Sequence, residues 1–327
     1  MTVKIGVDLG GTNVRVAAFG DGPAPLLVRR EPVGAERAPE AVVKRLAALI
    51  EEVRDAAGAG GSDVVPVGVG VAAMLRDRAG TVANAPNLAW FDVPFGAMLA
   101  HELGTRRPLG VYNDVNALTW GELCFGNGAG AEEVLAVYVG TGIGGGIVCD
   151  GRLVEGKSNT AGEIGHTKVR WDDKAVPCNC GGRGCVEAYL GGHRVQERAR
   201  QELARGAKSM AVQLAGAIEN VTPGDVDQAA AAGDEWALGL WTELAPLLGV
   251  TLANAIAVLN PELLILGGGM LSRTPVLREH VLAAMTVAAT PPSIEPLTVR
   301  DAALGDDGGV LGAALLAEGG VSIIPVR

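Results

Sequence analysis

A pattern of strand, glycine turn and strand occurs twice along the chain, and it limits the folds that the chain can adopt. The first block runs from an apolar segment at 3–9 through a glycine pair to a second apolar segment at 14–19. The second runs from 134–139 into a run of glycines at 140–146. Glycines allow tight turns and let backbone N–H groups approach an anion closely. Two such blocks indicate two similar halves that face each other across a cleft.

Between and after these blocks the sequence predicts helices. At 39–53, apolar residues recur at helical spacing with charged residues on the other face. A largely apolar stretch at 236–259 and a short segment at 310–317 are also expected to be helical. Strands that alternate with helices predict an α/β architecture.

Net charge and the distribution of apolar residues argue against a nucleic-acid binder and against a membrane protein. The formal net charge of −10 argues against a general nucleic-acid binder, which needs a basic surface to neutralise phosphates. No basic segment followed by an apolar one begins the chain, and no apolar stretch of ~18 residues lacks turn residues or charges. We therefore expect no membrane span and a cytoplasmic location. Three of the five cysteines lie within eight positions, which favours metal binding over disulfides.

The first glycine turn has the residues of a phosphate site, namely Asp8, Gly10, Gly11, Thr12 and Asn13. Asp8 could hold Mg²⁺ through water, since this ion keeps much of its hydration shell. The Thr12 hydroxyl could donate to a phosphate oxygen. A plain hairpin turn would give the same pattern, and this motif alone does not decide between the two.

The second turn has five glycines in seven positions after an apolar strand and includes Gly140, Thr141, Gly142 and Gly144. It lacks the lysine of a P-loop and no helix follows it, which excludes Walker and Rossmann sites. A phosphate turn and a β-bulge in a flexible hairpin both remain open for it.

A carboxylate at the end of a short strand is the candidate general base. Asn113 and Asp114 stand where this strand meets a helical segment. A carboxylate at a helix N-terminus is commonly only an N-cap, and from the residues alone that interpretation is favoured. The functional alternative is that Asp114 accepts the proton of a hydroxyl that attacks a phosphate.

A Cys₃His set is the strongest chemical signal. His166 precedes Cys178, Cys180 and Cys185, and these ligand types suit tetrahedral Zn²⁺. Four protein ligands leave no open position, so the zinc is expected to be structural. The alternative, a group of buried free thiols, is disfavoured by the close spacing. We expect Cys124 and Cys149, outside the set, to be ordinary buried residues.

Together these motifs resemble the ROK family of bacterial sugar kinases and repressors, within the actin-like ATPase superfamily. The most specific part is the segment Glu163-Ile164-Gly165-His166 followed by the cysteines and Glu187. The resemblance implies an α/β fold of two actin-like (ribonuclease H-like) domains around a central cleft. We expect residues 1–117 and 306–327 to form the smaller domain and 118–305 the larger, zinc-binding one.

The resemblance also implies a role for each matching residue. Asp114 would be the base of an ATP-dependent hexose kinase, most simply one that converts glucose to glucose 6-phosphate. The two turns would hold Mg²⁺–ATP, and Gly267, Gly268 and Gly269 would line the adenosine pocket. The sugar would be bound by Asn87, Asn113, Asp114, Glu163, His166 and Glu187.

Several alternatives remain open. The sugar could instead be N-acetylmannosamine, N-acetylglucosamine, mannose or fructose, because Ala73 and Met74 depart from the family pattern in a loop expected near it. The donor could be polyphosphate, and the chain could be a sugar sensor without turnover. The resemblance implies a homodimer and no partnership with nucleic acid or membrane.

Overall fold

The computed structural model of this 327-residue chain describes residues 2–59, 65–104, 109–305 and 307–319. Its strands are β1 (Lys4–Leu9), β2 (Asn13–Phe19), β3 (Pro25–Pro32), β4 (Val67–Val71), β5 (Met74–Leu75), β6 (Val82–Ala85), β7 (Trp90–Val93), β8 (Leu109–Asn113), β9 (Val134–Val139), β10 (Ile143–Cys149), β11 (Arg152–Leu153), β12 (Leu263–Gly267) and β13 (Thr298–Asp301). Its helices are α1 (Pro39–Ala56), α2 (Phe95–Glu102), α3 (Asp114–Phe125), α4 (Glu187–Leu190), α5 (Gly192–Ala204), α6 (Ala211–Ala215), α7 (Pro223–Ala231), α8 (Glu235–Leu259), α9 (Pro275–Ala288), α10 (Pro291–Ile294) and α11 (Asp307–Glu318).

The chain divides into two compact units, of which the first comprises 1–131, 146–162 and 303–327. Its five-stranded sheet has the order β3-β2-β1-β4-β8. The first three strands in sequence are antiparallel neighbours, whereas β4 runs parallel to β1 and to β8. The apolar residues of β1 that face α1 share one buried core with that helix.

Glycines on the other face of this sheet let α11 approach it closely. A Cβ at Gly6 of β1 would overlap the backbone carbonyl of Val310, and one at Gly68 of β4 would overlap that of Ala313. Because successive strand residues point to opposite faces, Asp8 lies on the same face as Gly6. The face covered by α11 therefore carries the carboxylate of the first motif.

The second unit comprises 132–145 and 163–302. The second five-stranded sheet has the order β11-β10-β9-β12-β13, and the division between the units falls within β10, after Gly145. Here β12 runs parallel to both β9 and β13. This order, a hairpin followed by two crossover strands, repeats that of the first sheet, as expected for two similar halves.

Helix α8 forms the core of the helical part of the second unit, where it packs on α9. A Cβ at Gly249 would lie 2.6 Å from the Cβ of Ala284, so glycine allows the close approach of the two helices. By length and composition alone α8 could cross a membrane, but 44% of its most apolar window is buried inside the protein. Its buried residues, which include Trp241, Leu244, Leu248 and Leu252, form one side of the helix's contact with the rest of the second unit.

The first unit and the predicted small domain have different bounds. Helix α3 continues from Asp114 to Phe125 through the predicted break after 117, and it packs against α11, with Gly121 close to the backbone of Gly308. The same unit also contains 146–162. The predicted boundaries stay a prediction, and positions 1, 60–64, 105–108, 306 and 320–327 of the predicted small domain lie outside the described residues.

Candidate active site

The first glycine turn and the candidate base share one cavity in the first unit. The cavity has a volume of about 360 Å³, and Asp8, Gly10, Asn13 and Asp114 line it. The turn is closed by the N–H of Gly10, which donates to the carbonyl of Asn13 at 3.1 Å. Both carboxylates are half-buried. A site with two carboxylates beside a glycine turn can hold a cation and can accept a proton.

Capping of α3 falls to Asn113 rather than to Asp114. The Oδ1 of Asn113 accepts from the N–H groups of Val115 and Asn116, at 2.9 and 3.2 Å, and its Nδ2 donates to the Ala73 carbonyl at 3.2 Å. Asp114 is the first residue of the helix and also accepts from Val115, at 3.0 Å. The amide of Asn113 is thus engaged inside the protein, and Asp114 is not needed as the cap.

One guanidinium ties the first turn to the loop that carries Asn87. Arg37 Nη1 donates to the backbone carbonyl of Gly11 and to that of Asn87, the latter at 2.7 Å. The Asn87 side chain also packs closely against the backbone of Gly11, since a Cβ at Gly11 would lie 2.5 Å from the Cβ of Asn87. Thr12, the other turn residue with an assigned role, is exposed. The predicted sugar residue Asn87 therefore lies directly against the predicted phosphate turn.

In the second unit, Glu187 holds the second glycine turn. Its Oε2 accepts from the N–H of Ile143 at 2.8 Å, and a Cβ at Gly142 would overlap this carboxylate. The turn carbonyls of Gly140 and Thr141 accept from the first N–H groups of α5. Gly144 follows within β10. The turn is therefore fixed from both sides, and Glu187, predicted to bind sugar, also fixes this turn.

His166, Cys178, Cys180 and Cys185 converge in the second unit as a candidate metal centre. Their ligand atoms all lie within 4.8 Å of one another. Cys178 Sγ is 3.7 Å from His166 Nδ1, and the Sγ atoms of Cys180 and Cys185 are 3.6 Å apart.

Those separations fit Zn²⁺. Tetrahedral zinc with bonds of about 2.0 Å to nitrogen and about 2.3 Å to sulfur places its ligand atoms roughly 3.5–3.8 Å apart. Two of the edges already have this length, and the widest separation need close by only about 1 Å. The donor set, one imidazole and three thiols, suits the same ion.

The other ring nitrogen of His166 faces Glu163. Its Nε2 is 3.8 Å from Glu163 Oε2, while Nδ1 faces the thiols. Burial raises the pKa of Glu163; the nearby His166 opposes this change and Glu187 adds to it. Glu163, His166 and Glu187 thus form one polar group beside the candidate metal centre.

The third glycine group lies at the end of β12. Gly268 has a φ of +93°, a conformation that favours glycine, and a Cβ there would overlap the backbone of Val139. Gly267 ends the strand and Gly269 follows. These glycines let the chain turn tightly over the end of β9, which leaves backbone rather than side chains at that edge.

Two cationic residues of the cavity were not predicted from the sequence, and one thiol lies in a different environment from the one expected. Arg15 and Arg30 line the same cavity as Asp8 and Asp114. The period-2 pattern of β2 could have identified Arg15, because Asn13 and Arg15 point to the same face. The expectation that Cys149 is buried was wrong: this thiol is exposed, since it ends β10 next to the turn at 150–151, whereas Cys124 is half-buried.

Comparison with known proteins identifies the family to which the chain belongs. The glucokinase of Thermotoga maritima is 33% identical over 312 residues, which cover 95% of each chain. The crystal structure of a ROK family glucokinase from Streptomyces griseus, in complex with glucose and AMPPNP, matches with a TM-score of 0.79 and 29% identity over 97% of this chain and 99% of that one. A xylose repressor of Caldicellulosiruptor bescii is 29% identical over 70% of this chain and 56% of its own length. The ROK family model matches residues 4–319, the fold is that of the actin-like ATPases, and the chain belongs to the ROK family.

Proposed function

We propose that this protein is an ATP-dependent hexose kinase that converts glucose to glucose 6-phosphate, with Asp114 as the general base. The observation that carries the proposal is the shared cavity, in which Asp114 lies with Asp8 and the first glycine turn. Two of the relatives named above, from Thermotoga maritima and Streptomyces griseus, are glucokinases, which favours glucose as the acceptor.

The proposed phosphoryl transfer uses the two carboxylates of that cavity. The carboxylate of Asp114 would accept the proton of the sugar hydroxyl while the hydroxyl oxygen forms a bond to the γ-phosphorus of ATP. The bond from that phosphorus to the β-phosphate oxygen breaks, and ADP leaves. A positioned base of this kind contributes about 10²–10⁴-fold to the rate. Mg²⁺ would enter with ATP and neutralise phosphate charge, and Asp8 is the cavity carboxylate suited to hold it.

The polar group of the second unit would supply hydrogen-bonding residues for the sugar. We propose that Glu163, His166 and Glu187 bind sugar hydroxyls, and we propose Asn87 and Asn113 as further sugar-binding residues. Zinc bound by His166 Nδ1 and the three thiolates would fix the direction of the imidazole and leave Nε2 for a hydroxyl. We further propose that Gly267, Gly268 and Gly269 line the adenosine pocket.

A panel of sugars tests the proposal. The purified protein is given ATP with glucose, mannose, fructose, N-acetylglucosamine or N-acetylmannosamine, and ADP release is followed with a coupling enzyme. We expect the highest kcat/KM with glucose. A higher value with another sugar would keep the kinase chemistry and overturn the choice of substrate.

A sugar sensor is the second candidate, favoured by the xylose repressor among the relatives. It would bind a sugar, measured by calorimetry, but release no ADP with any sugar and with neither ATP nor polyphosphate as donor. That combination would refute the kinase proposal.

A further inference from the structure

Three charged residues form a row across the first sheet. Asp8 of β1 is the register partner of Arg15 of β2, and Arg15 is the register partner of Arg30 of β3. Residues directly opposite each other in neighbouring strands point to the same face. All three line the cavity that also contains Asp114. The row therefore begins at the candidate magnesium ligand and ends in a pair of guanidinium groups.

This pair is unfavourable unless something negative accompanies it. Like charges directly opposite in a sheet repel, because their Cβ atoms are only about 4.5–5.5 Å apart. Arg15 is compensated, since its Nη1 lies 3.1 Å from Asp307 Oδ1 and its side chain is only 12% exposed. Arg30 is exposed, and within the described part of the chain it has neither an ion-pair nor a side-chain hydrogen-bond partner.

Arg29, the residue next to Arg30, shows that the lack of a protein partner among the described residues is specific to the cavity face of β3. Arg29 points to the opposite face of β3, where its Nε lies 2.9 Å from Glu52 Oε1 of α1. Two adjacent arginines on one strand thus differ in their surroundings. Arg29 has a protein carboxylate as its partner, and Arg30 faces a cavity of about 360 Å³.

We infer that Arg30, together with Arg15, forms an oxyanion subsite for a terminal phosphate group. A guanidinium can donate two parallel hydrogen bonds to phosphate oxygens, and it keeps its charge at any pH at which a protein is folded. A phosphate that enters this cavity meets the carboxylates of Asp8 and Asp114, which repel it. Arg15 and Arg30 supply positive charge on the same sheet face.

The inference rests on the proposed function, because a kinase must bring a phosphate group beside its base. Two sources share the chemistry: the phosphate chain of the donor, and the phosphate ester of the product. Inorganic tripolyphosphate stands in for the first and glucose 6-phosphate for the second.

Binding of these two probes to the full-length protein tests the subsite, by calorimetry at low ionic strength. We expect Arg30→Gln to lower the affinity for at least one probe about tenfold or more. Arg30→Lys is expected to restore part of that affinity. Arg29→Gln, the matched control on the other face, is expected to bind both probes as the unaltered protein does. Loss with tripolyphosphate alone identifies the donor as the occupant, and loss with glucose 6-phosphate alone identifies the product.

Equal affinities in the Arg29→Gln and Arg30→Gln variants would overturn the inference, as would failure of the unaltered protein to bind either probe. Because Arg30 is exposed and lies opposite a like charge, its substitution is not expected to lower the melting temperature, and a melting temperature at or above that of the unaltered protein excludes unfolding as the cause. The assay involves no turnover. A protein that lost phosphate affinity in Arg30→Gln but phosphorylated no sugar would support the subsite and refute the kinase.

Discussion

A buried carboxylate, Glu122, is expected to be among the most sensitive positions for stability in the first unit. Glu122 lies in α3 and is fully buried. Its Oε1 accepts from the N–H groups of Ala303 and Leu304, both at 2.7 Å, and its Oε2 accepts from that of Asn127 at 3.0 Å. These bonds fasten the segment that leads into α11 and carries Gly305, one of the residues of the cavity.

The size of the effect follows from those three bonds. A hydrogen bond to a charged group contributes about 1.5–3 kcal/mol, and a donor left without a partner in the interior costs about 1–3 kcal/mol. Ala303 and Asn127 are exposed residues, so water can satisfy part of what Glu122→Ala removes. We therefore expect a loss of about 3 kcal/mol. For a domain of this size that corresponds to a fall in melting temperature of about 6–12 °C.

Thermal unfolding followed by circular dichroism measures this loss. Glu132→Ala, which truncates an exposed carboxylate, is the control and should melt within about 1 °C of the unaltered protein, because surface substitutions usually change stability little. Glu122→Gln keeps one carbonyl oxygen and should lie between the two. A Glu122→Ala variant that melts within about 2 °C of the control would contradict the predicted contribution of these three hydrogen bonds.

Three further predictions concern other parts of the molecule. Cys180→Ser should lose most bound zinc, measured by a chromophoric chelator, and should melt at a lower temperature, because a structural site binds through all four ligands. Gly68→Ala should cost about 2 kcal/mol or more in chemical denaturation, because the added methyl overlaps the carbonyl of Ala313. Burial raises the pKa of Cys124 to about 11, so at pH 8 its thiol stays protonated and should react with iodoacetamide much more slowly than exposed Cys149.

Each of these has a control within the chain. Cys149→Ser removes a thiol outside the cluster and should leave zinc content unchanged; equal zinc in this variant and in Cys180→Ser would remove Cys180 from the site. Gly22→Ala places a methyl in open space, and a loss as large as that of Gly68→Ala would contradict the packing argument. For Cys124, mass spectrometry that finds both thiols equally modified at early times would contradict the shielding inferred from its burial.

Elements with a strong local signal were predictable from the sequence. The turns at 10–13 and 140–142 lie where the glycine runs predicted them, and the helix predicted at 39–53 is α1, which runs three residues further. Strands β5, β6 and β7 were not predicted, because two to four residues are too few for an alternating pattern.

The candidate site was predictable only in part. Glycine turns, carboxylates and the Cys₃His spacing are local features of the sequence. The resemblance gave them roles, and the family is confirmed. Pairing of Arg15 with Arg30 depends on the register of β2 and β3, which residue spacing does not specify. Nor could the residues alone tell that Asn113, and not Asp114, caps α3. The homodimer and the cytoplasmic location stay predictions.

The rate of glucose phosphorylation by the Asp114→Asn variant decides whether Asp114 is the general base. Single-turnover measurements with ATP and saturating glucose should show the phosphoryl-transfer rate reduced by about 10²–10⁴-fold, because the amide cannot accept the proton of the attacking hydroxyl. Glucose affinity and melting temperature should change little, since Asn113 provides the helix cap. A transfer rate within about threefold of the unaltered protein would contradict the assignment of Asp114 as the base.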